Sequence, residues 1–189
     1  MADSKRLLTL KRLTAHLEAE VSVDRGYKHD LAGKVFRGRS KFNHEEDGGV
    51  GVPLVSVLES PDADRFPLRT GYQDGVEAAT QRDNWVLLIQ GWVENDLENP
   101  TDPAYELMAD VKKALAKIVQ DETLYDRLTG PRHNPDFSPE THMLGGLISG
   151  ISIEPGTVRP PTEQVSSNAF FWMRVVLQFV EDTNDPYSI

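Results

Sequence analysis

The segment 84-NWVLLIQGWVEND-96 is the most informative part of the sequence, because it predicts a β-strand that is apolar on both faces. Strand side chains alternate between the two faces of a sheet, and a strand with one face in water is polar on that face. The pattern therefore asks what covers the second set of side chains, to which Trp92 belongs. One set consists of Trp85, Leu87, Ile89, Gly91 and Val93, and the other of Val86, Leu88, Gln90, Trp92 and Glu94.

A second long strand with the same property is predicted over 168-NAFFWMRVVLQFVED-182. One of its faces is apolar from Ala169 to Phe179, and the other is mostly apolar but includes Arg174 and Gln178. Shorter strands are predicted at 34–39, at 54-LVSVLE-59 and at 147–154, whereas 155-PGTVRPP-161 predicts a break.

Two amphipathic helices accompany these strands. The first is predicted over 4–21 with Ser4 as the N-cap, and the second begins at Asp102 as the N-cap with Pro103 at its first position. Apolar residues recur in both at three- and four-residue spacing. The two stripes are Leu10, Leu13, Leu17 and Val21, and Leu107, Val111, Ala114, Leu115 and Ile118.

The order of elements is helix, three strands, helix and two strands, which predicts an α+β fold. We expect a mixed, mostly antiparallel β-sheet with two main helices packed on one face. The 189 residues fit a single domain, 1–189, with long loops at about 60–82 and 121–146. Because two helices cover only one side of a sheet, either a loop or another copy of the chain is expected over Trp92.

Composition excludes several classes of function. The formal charge of −10 makes the chain a poor general binder of nucleic acid. The chain contains no cysteine, so it has neither a disulfide nor a thiol nucleophile. No apolar run is long enough to span a membrane, and no signal peptide is predicted.

The charges are unevenly distributed. Residues 1–44 carry ten Lys and Arg against five Asp and Glu, whereas the remainder carries ten against twenty-five. Two interpretations are open: the basic segment pairs with the acidic remainder of its own subunit, or it meets the acidic surface of a neighbouring copy.

Motifs that carry chemistry are weak. The acidic run 44-HEED-47 lies in a glycine-rich loop, and His133 and His142 flank a proline-rich loop without the spacing of a zinc site. The run 48-GGVG-51 lacks the Lys-Ser/Thr of a phosphate loop, and Glu59 is a carboxylate at the end of a strand. We therefore predict no catalytic residue, no metal and no cofactor, and an enzyme of unrecognised type is the less favoured alternative.

Three segments together resemble a family of bacteriophage proteins, the tail terminator or tail completion proteins of long-tailed phages. The segments cover roughly three quarters of the chain. They are 27-YKHDLAGKVFRGRSKF-42 followed by 53-PLVSVLE-59, 84-NWVLLIQGWVENDLENPTDPAYELMADVKKAL-115, and 153-IEPGTVRPPTEQVSSNAFFWMRVVLQFVEDTNDPY-187.

The resemblance implies a structural virion protein that forms a ring, usually of six copies, at the head-proximal end of the tail. Such a ring caps the tail tube, ends its polymerisation and offers a surface to the head-tail connector or head-closure protein. It would assemble in the host cytoplasm, and DNA would pass through it without specific binding. The alternative is another neck or tail component, such as a head-closure ring, a tail-assembly factor or a minor tail protein.

A ring requires that one patch of each copy meets a different patch on the next. Interfaces favour aromatic residues and arginine. The predicted subunit or partner interface therefore consists of Trp92, Trp172, Arg174, Gln178, Arg37 and Arg39.

Overall fold

A computed structural model describes residues 3–39, 51–60, 80–126, 130–162, 166–182, 185 and 187 of the chain. The helices in these ranges are α1 (Lys5–Glu20), α2 (Asp102–Lys117) and the short α3 (Met143–Gly146), with a 3-10 turn at Val23–Arg25. The strands are β1 (Val35–Arg37), β2 (Leu54–Glu59), β3 (Thr80–Val93), β4 (Thr123–Asp126), β5 (Gly130–His133), β6 (Ile148–Ile153), β7 (Thr157–Arg159) and β8 (Ala169–Asp182).

Six strands form one sheet in the order β1-β2-β3-β8-β6, and β7 pairs with β8 along the same edge as β6. β1 runs parallel to β2, whereas the other described pairings are antiparallel. The remaining strands, β4 and β5, form a separate hairpin. The predicted α+β fold with a mixed, mostly antiparallel sheet is confirmed.

The centre of the sheet is the ladder between β3 and β8, which runs from Thr80 opposite Asp182 to Val93 opposite Ala169. β3 begins four residues before the predicted strand, so the end of the predicted loop 60–82 belongs to the sheet. The polar residues at 80–83 lack the apolar alternation that marks a strand, and it is the backbone of β8 that pairs with them. Residues 61–79 of that loop lie outside the described ranges.

The helices begin close to the predicted positions. Ser4 is the N-cap of α1, and its Oγ accepts a hydrogen bond from the amide of Leu7 at 3.4 Å. The prediction of Asp102 as the N-cap of α2 is wrong, because Thr101 occupies that position. Its carbonyl accepts from the amides of Ala104 and Tyr105 at 3.1 and 3.2 Å, so the helical bonding pattern starts one residue earlier.

The hydrophobic core lies between one face of the sheet and the two long helices. Leu13 and Leu17 of α1 and Leu107 of α2 are fully buried, and they join one cluster with the predicted inner sides of β3 and β8. Both main helices therefore pack on the same face, as predicted. The two central strands contribute Trp85, Leu87, Ile89, Val93, Ala169, Phe171, Met173, Val175, Leu177 and Phe179 to this cluster.

The stretch 121–146 is not the irregular loop that the sequence predicts, because it contains β4, β5 and α3. The backbone of α3 departs from a right-handed helix, with φ of 49° at Met143 and 54° at Leu144. Long-range bonds hold it: the amide of Met143 donates to the carbonyl of Ile118 at 2.8 Å, and Arg12 Nη1 donates to the carbonyl of Leu144 at 2.8 Å. Such bonds leave no periodic signal in the local sequence.

The predicted break at 155–161 contains β7, whose three residues pair with Phe170–Trp172 of β8. Val158 packs against the core, while Thr157 and Arg159 lie on the opposite face. The flanking prolines indicate a turn, but a strand of three residues at a sheet edge can form simply by hydrogen bonding to the backbone of its partner strand.

Several charged groups of the N-terminal segment pair within the subunit. Arg6 Nε lies 3.3 Å from Glu181 Oε2, and Lys28 forms an ion pair with Glu106. Arg37 and Arg12 also donate hydrogen bonds to groups of the same chain. These contacts correspond to the first interpretation of the charge distribution, in which the basic segment pairs with acidic residues of its own subunit.

Candidate functional site

The face of the sheet that turns away from α1 and α2 is hereafter the outer face. It is not uniform. On its β2 side Leu54, Ser56 and Val86 are buried, so the chain itself covers this part. On its β8 side the aromatic residues are only partly buried, and Arg174 and Gln178 are exposed. The question raised by the first strand thus has two answers, one for each half of the face.

An aromatic cluster occupies the more accessible half. Trp92 of β3 lies directly opposite Phe170 of β8, and Gln90 lies opposite Trp172. The rings of Phe170 and Trp172 stack with centroids 5.8 Å apart, and the guanidinium of Arg159 lies 5.8 Å from the Trp172 ring. The aromatic cluster, Trp92, Phe170, Trp172 and Arg159, therefore combines large apolar surfaces with a cation.

A shallow depression of about 410 Å³ opens beside this cluster. Its walls are mixed in character, because apolar surface from Leu88 and Trp172 alternates with polar groups. Such a mixture suits a side chain of another protein better than a small apolar ligand, which usually buries most of its surface in a deeper site. The other lining residues include Gln90, Glu154, Thr157 and Arg174.

Gln178 marks the far end of the outer face. It pairs with Gly150 of β6, and a Cβ atom at Gly150 would lie only 2.7 Å from Gln178 Oε1. The absence of a side chain at Gly150 therefore lets Gln178 lie across β6 while it remains exposed.

Four of the six predicted interface residues, Trp92, Trp172, Arg174 and Gln178, lie on the outer face, with Gln178 eight residues along β8 from Phe170, the partner of Trp92. Arg37 does not, since β1 places it beside Val57 on the helix side, where its Nη1 donates to Thr14 Oγ1 at 2.7 Å.

Arg39 borders the outer face at the edge of the sheet. Its guanidinium lies 5.0 Å from the ring of Phe36, and its carbonyl accepts a hydrogen bond from Ser56 Oγ at 2.6 Å. Arg37 and Arg39 would share a face if the strand continued, but β1 ends at Arg37 and Gly38 has a left-handed φ of 68°, which breaks the alternation.

Sequence reasoning missed Arg159 as a member of this surface, because it assigned 155–161 to a break. The signal that was present is the alternation Thr-Val-Arg at 157–159, in which a β-branched apolar residue stands between two polar ones. Strand alternation places Phe170 on the same face as Arg174, but its stacking on Trp172 follows only from the three-dimensional arrangement.

A second depression, about 670 Å³, lies on the helix side between α1 and the segment before α3. Partners of the same chain hold four of its ionisable groups, Arg12, His16, Glu20 and Arg25. His16 Nε2 lies 2.8 Å from the carbonyl of Ala114, and burial lowers the pKa of His16 below its ordinary value of 6.5. Burial raises the pKa of Glu20, but hydrogen bonds from Lys117, Tyr27 and Arg25 outweigh this effect and leave it lowered. These contacts join α1 to α2.

The weak candidates for metal binding or catalysis gain no support from geometry. His142 Nδ1 lies 3.0 Å from the carbonyl of Gln120, while His133 and Glu59 are exposed. Residues 44–50 lie outside the described ranges. In the part of the chain that the structure describes, no group of three His, Asp or Glu residues is arranged to hold a metal ion.

The fold and this surface define an α+β domain whose sheet carries helices on one side and an aromatic, arginine-bearing surface on the other. Among the described helices none has the length and apolar character needed to cross a bilayer. No protein-family model matches the chain, and no curated protein matches it.

Proposed function

We propose that this protein is a structural component of a long-tailed phage and acts as its tail terminator. Copies of the chain form a ring that caps the tail tube and ends tube polymerisation, and the family resemblance implies six subunits in this ring. The ring then presents a surface to the head-tail connector or head-closure protein. It resides at the head-proximal end of the tail and acts without catalysis and without a cofactor.

The observation that carries the proposal is the accessible half of the outer face. Aromatic residues and arginine are enriched in the cores of protein interfaces, and here Trp92, Phe170 and Trp172 lie beside Arg159 and Arg174. Both long helices pack on the other side of the sheet. The resemblance of the three sequence segments supplies the identity of the partners, and the surface supplies a place for them.

The acidic composition agrees with this role. A ring around a DNA path needs no attraction for phosphate, since a basic lumen would hold the DNA by counterion release. With a formal charge of −10, the chain suits a channel through which DNA passes without specific contact.

The first test is Trp92→Glu. We expect it to weaken ring assembly more than folding, because it places a carboxylate on a surface that another subunit covers. Val119→Glu is the matched control, since Val119 is an exposed apolar residue that follows α2. Native mass spectrometry with and without the tail tube protein measures assembly, and circular dichroism measures folding.

Arg174→Glu keeps the test informative if Trp92→Glu unfolds, because Arg174 is exposed. Unfolding of the first variant would identify Trp92 as ordinary core. A wild-type protein that stays strictly monomeric even with the tail tube protein would contradict the proposal.

Electron microscopy of a phage that lacks the gene separates the terminator from the alternative neck components. Over-long tubes indicate a terminator. Tails of normal length that lie unattached to heads indicate a head-closure function instead.

A further inference from the structure

A ring built from identical copies needs two different patches on each copy, and the outer face provides only one. The turn 94–99 between β3 and α2 has the properties of the other. Leu97 at its tip is 94% exposed, the highest exposure among the large apolar residues of the described ranges. A leucine in this position gains from burial only in contact with another molecule.

The turn that presents Leu97 is held in one conformation. Asp96 Oδ1 accepts hydrogen bonds from the amides of Glu98 and Asn99 at 2.8 and 2.7 Å. The carbonyl of Asn99 in turn accepts from the amide of Asp102 at the start of α2. Because the turn is already ordered, a partner that binds it does not pay the entropy of ordering a flexible loop.

The charge of the turn is opposite to that of the aromatic cluster. Glu94, Asp96 and Glu98 surround Leu97, and no Lys or Arg occurs in the sequence from 83 to 111. The aromatic cluster carries Arg159 over Trp172, and the lining of the depression beside it includes a second arginine, Arg174, and one acidic residue, Glu154. An apolar tip framed by carboxylates thus complements an aromatic surface framed by a guanidinium.

We propose that the turn 94–99 of one copy docks on the aromatic cluster of the next copy. Leu97 enters the depression beside Trp172, and the carboxylates of Glu94 and Glu98 face Arg159. Each copy offers one turn and one aromatic cluster, so the contact is head-to-tail and continues around a closed ring. This inference rests on the proposed ring and specifies which surfaces form it.

The occupant of the depression is a neighbour's turn and not the subunit's own. The exposure of Leu97 shows that it makes almost no contact within its own chain. The two complementary surfaces occur on the same chain at different places, which is the arrangement that produces self-association through a heterologous contact.

Leu97→Asp and Arg159→Glu test the two halves separately, and both side chains are exposed, so both variants should fold. Each should weaken association by at least about tenfold, since the first loses burial of a leucine and the second places like charges together. Val23→Asp is the matched control, because Val23 is an exposed apolar residue in the 3-10 turn that follows α1. Sedimentation velocity, with tail tube protein added if assembly requires it, gives the species formed.

Mixing the two variants gives the decisive result. Arg159→Glu retains an intact turn and Leu97→Asp retains an intact aromatic cluster, so only one of the four possible pairings in the mixture is intact, and the two patches left over in that heterodimer are both defective. We expect a heterodimer in the mixture and no larger species, whereas each variant alone stays monomeric.

If Leu97→Asp assembles like the wild type while Trp92→Glu or Arg174→Glu does not assemble, the docking of the turn is overturned and the proposed ring is left intact. A mixture that contains only monomers would also overturn it. A wild-type protein that never assembles, alone or with tail tube protein, would overturn the ring and the docking together.

Discussion

Gly91 in β3 is the position at which one added methyl group has the clearest structural consequence. It lies opposite Phe171 of β8, and the ring of this fully buried phenylalanine lies over it. A Cβ atom at position 91 would lie 2.7 Å from Phe171 Cζ and 3.0 Å from Cδ1, and closer still to Cε1. The ring must therefore move when Gly91 is replaced by alanine.

The expected cost follows from two opposing effects. Extra volume in a well-packed core destabilises a protein by about 1–3 kcal/mol. Replacing glycine by alanine also reduces the freedom of the unfolded chain, which stabilises by about 0.4–1 kcal/mol. Because Phe171 is surrounded by other buried side chains, the packing effect should exceed the entropic one. We expect Gly91→Ala to lower the free energy of unfolding by about 1–2 kcal/mol.

Urea denaturation, followed by far-ultraviolet circular dichroism and tryptophan fluorescence, measures this change. The midpoint should fall by roughly 0.5–1 M at an unchanged slope, for a slope of about 2 kcal/mol per molar. Gly51→Ala is the matched control, since a Cβ atom at Gly51 meets no heavy atom within 4 Å. It should not destabilise the protein.

A double-mutant cycle identifies the cause. In a Phe171→Leu background, Gly91→Ala should cost clearly less, because the smaller side chain leaves room for the methyl group. A Gly91→Ala protein within about 0.5 kcal/mol of the wild type, or a cost that is the same in both backgrounds, would refute the packing of the ring on Gly91.

Three further predictions concern the polar contacts of the helix side. His16→Gln should reduce the loss of stability below pH 6.5, because burial lowers the pKa of His16 in the folded state and the unfolded chain therefore takes up a proton first. Urea titrations between about pH 5 and 7 measure this, and an unchanged dependence of stability on pH would contradict it. Asp110→Ala should lower the free energy of unfolding by about 2–3 kcal/mol, because Asp110 Oδ2 accepts hydrogen bonds from the amides of Lys28 and His29 at 3.0 and 3.1 Å. Thermal unfolding measures this change, and an unchanged midpoint would argue against it. Glu20→Gln should make stability less sensitive to acid, because the lowered pKa of Glu20 means that its carboxylate stabilises the fold above pH 4.5 and that this stabilisation is lost as the pH falls further. Identical acid-unfolding curves for the variant and the wild type would count against this contribution of Glu20.

Much of the fold follows from local patterns in the sequence. The alternation of apolar residues in β3 and β8 identifies which side chains face the helices, and the structure buries that set. The apolar stripes of α1 and α2 likewise identify their packed sides. Periods of two and of 3.6 residues are properties of the backbone geometry itself, so they are visible wherever one side of an element is buried.

The missed elements depend on partners that are distant in the chain. β7 exists because β8 offers it an edge, and α3 is held by Arg12 and by the carbonyl of Ile118. Thr101 replaces Asp102 at the N-cap, because both residue types suit that position and only the backbone bonds distinguish them.

The candidate site divides in the same way. Strand alternation alone predicts that the strand of Trp92 and the strand of Trp172 each carry an apolar outer side with polar residues among the aromatic ones. The folded arrangement adds that Phe170 lies opposite Trp92, that Arg159 joins the aromatic cluster, and that Arg37 lies on the other face. This difference arises because periodicity assigns a side chain to a face, whereas strand register and sheet order decide which side chains become neighbours on it.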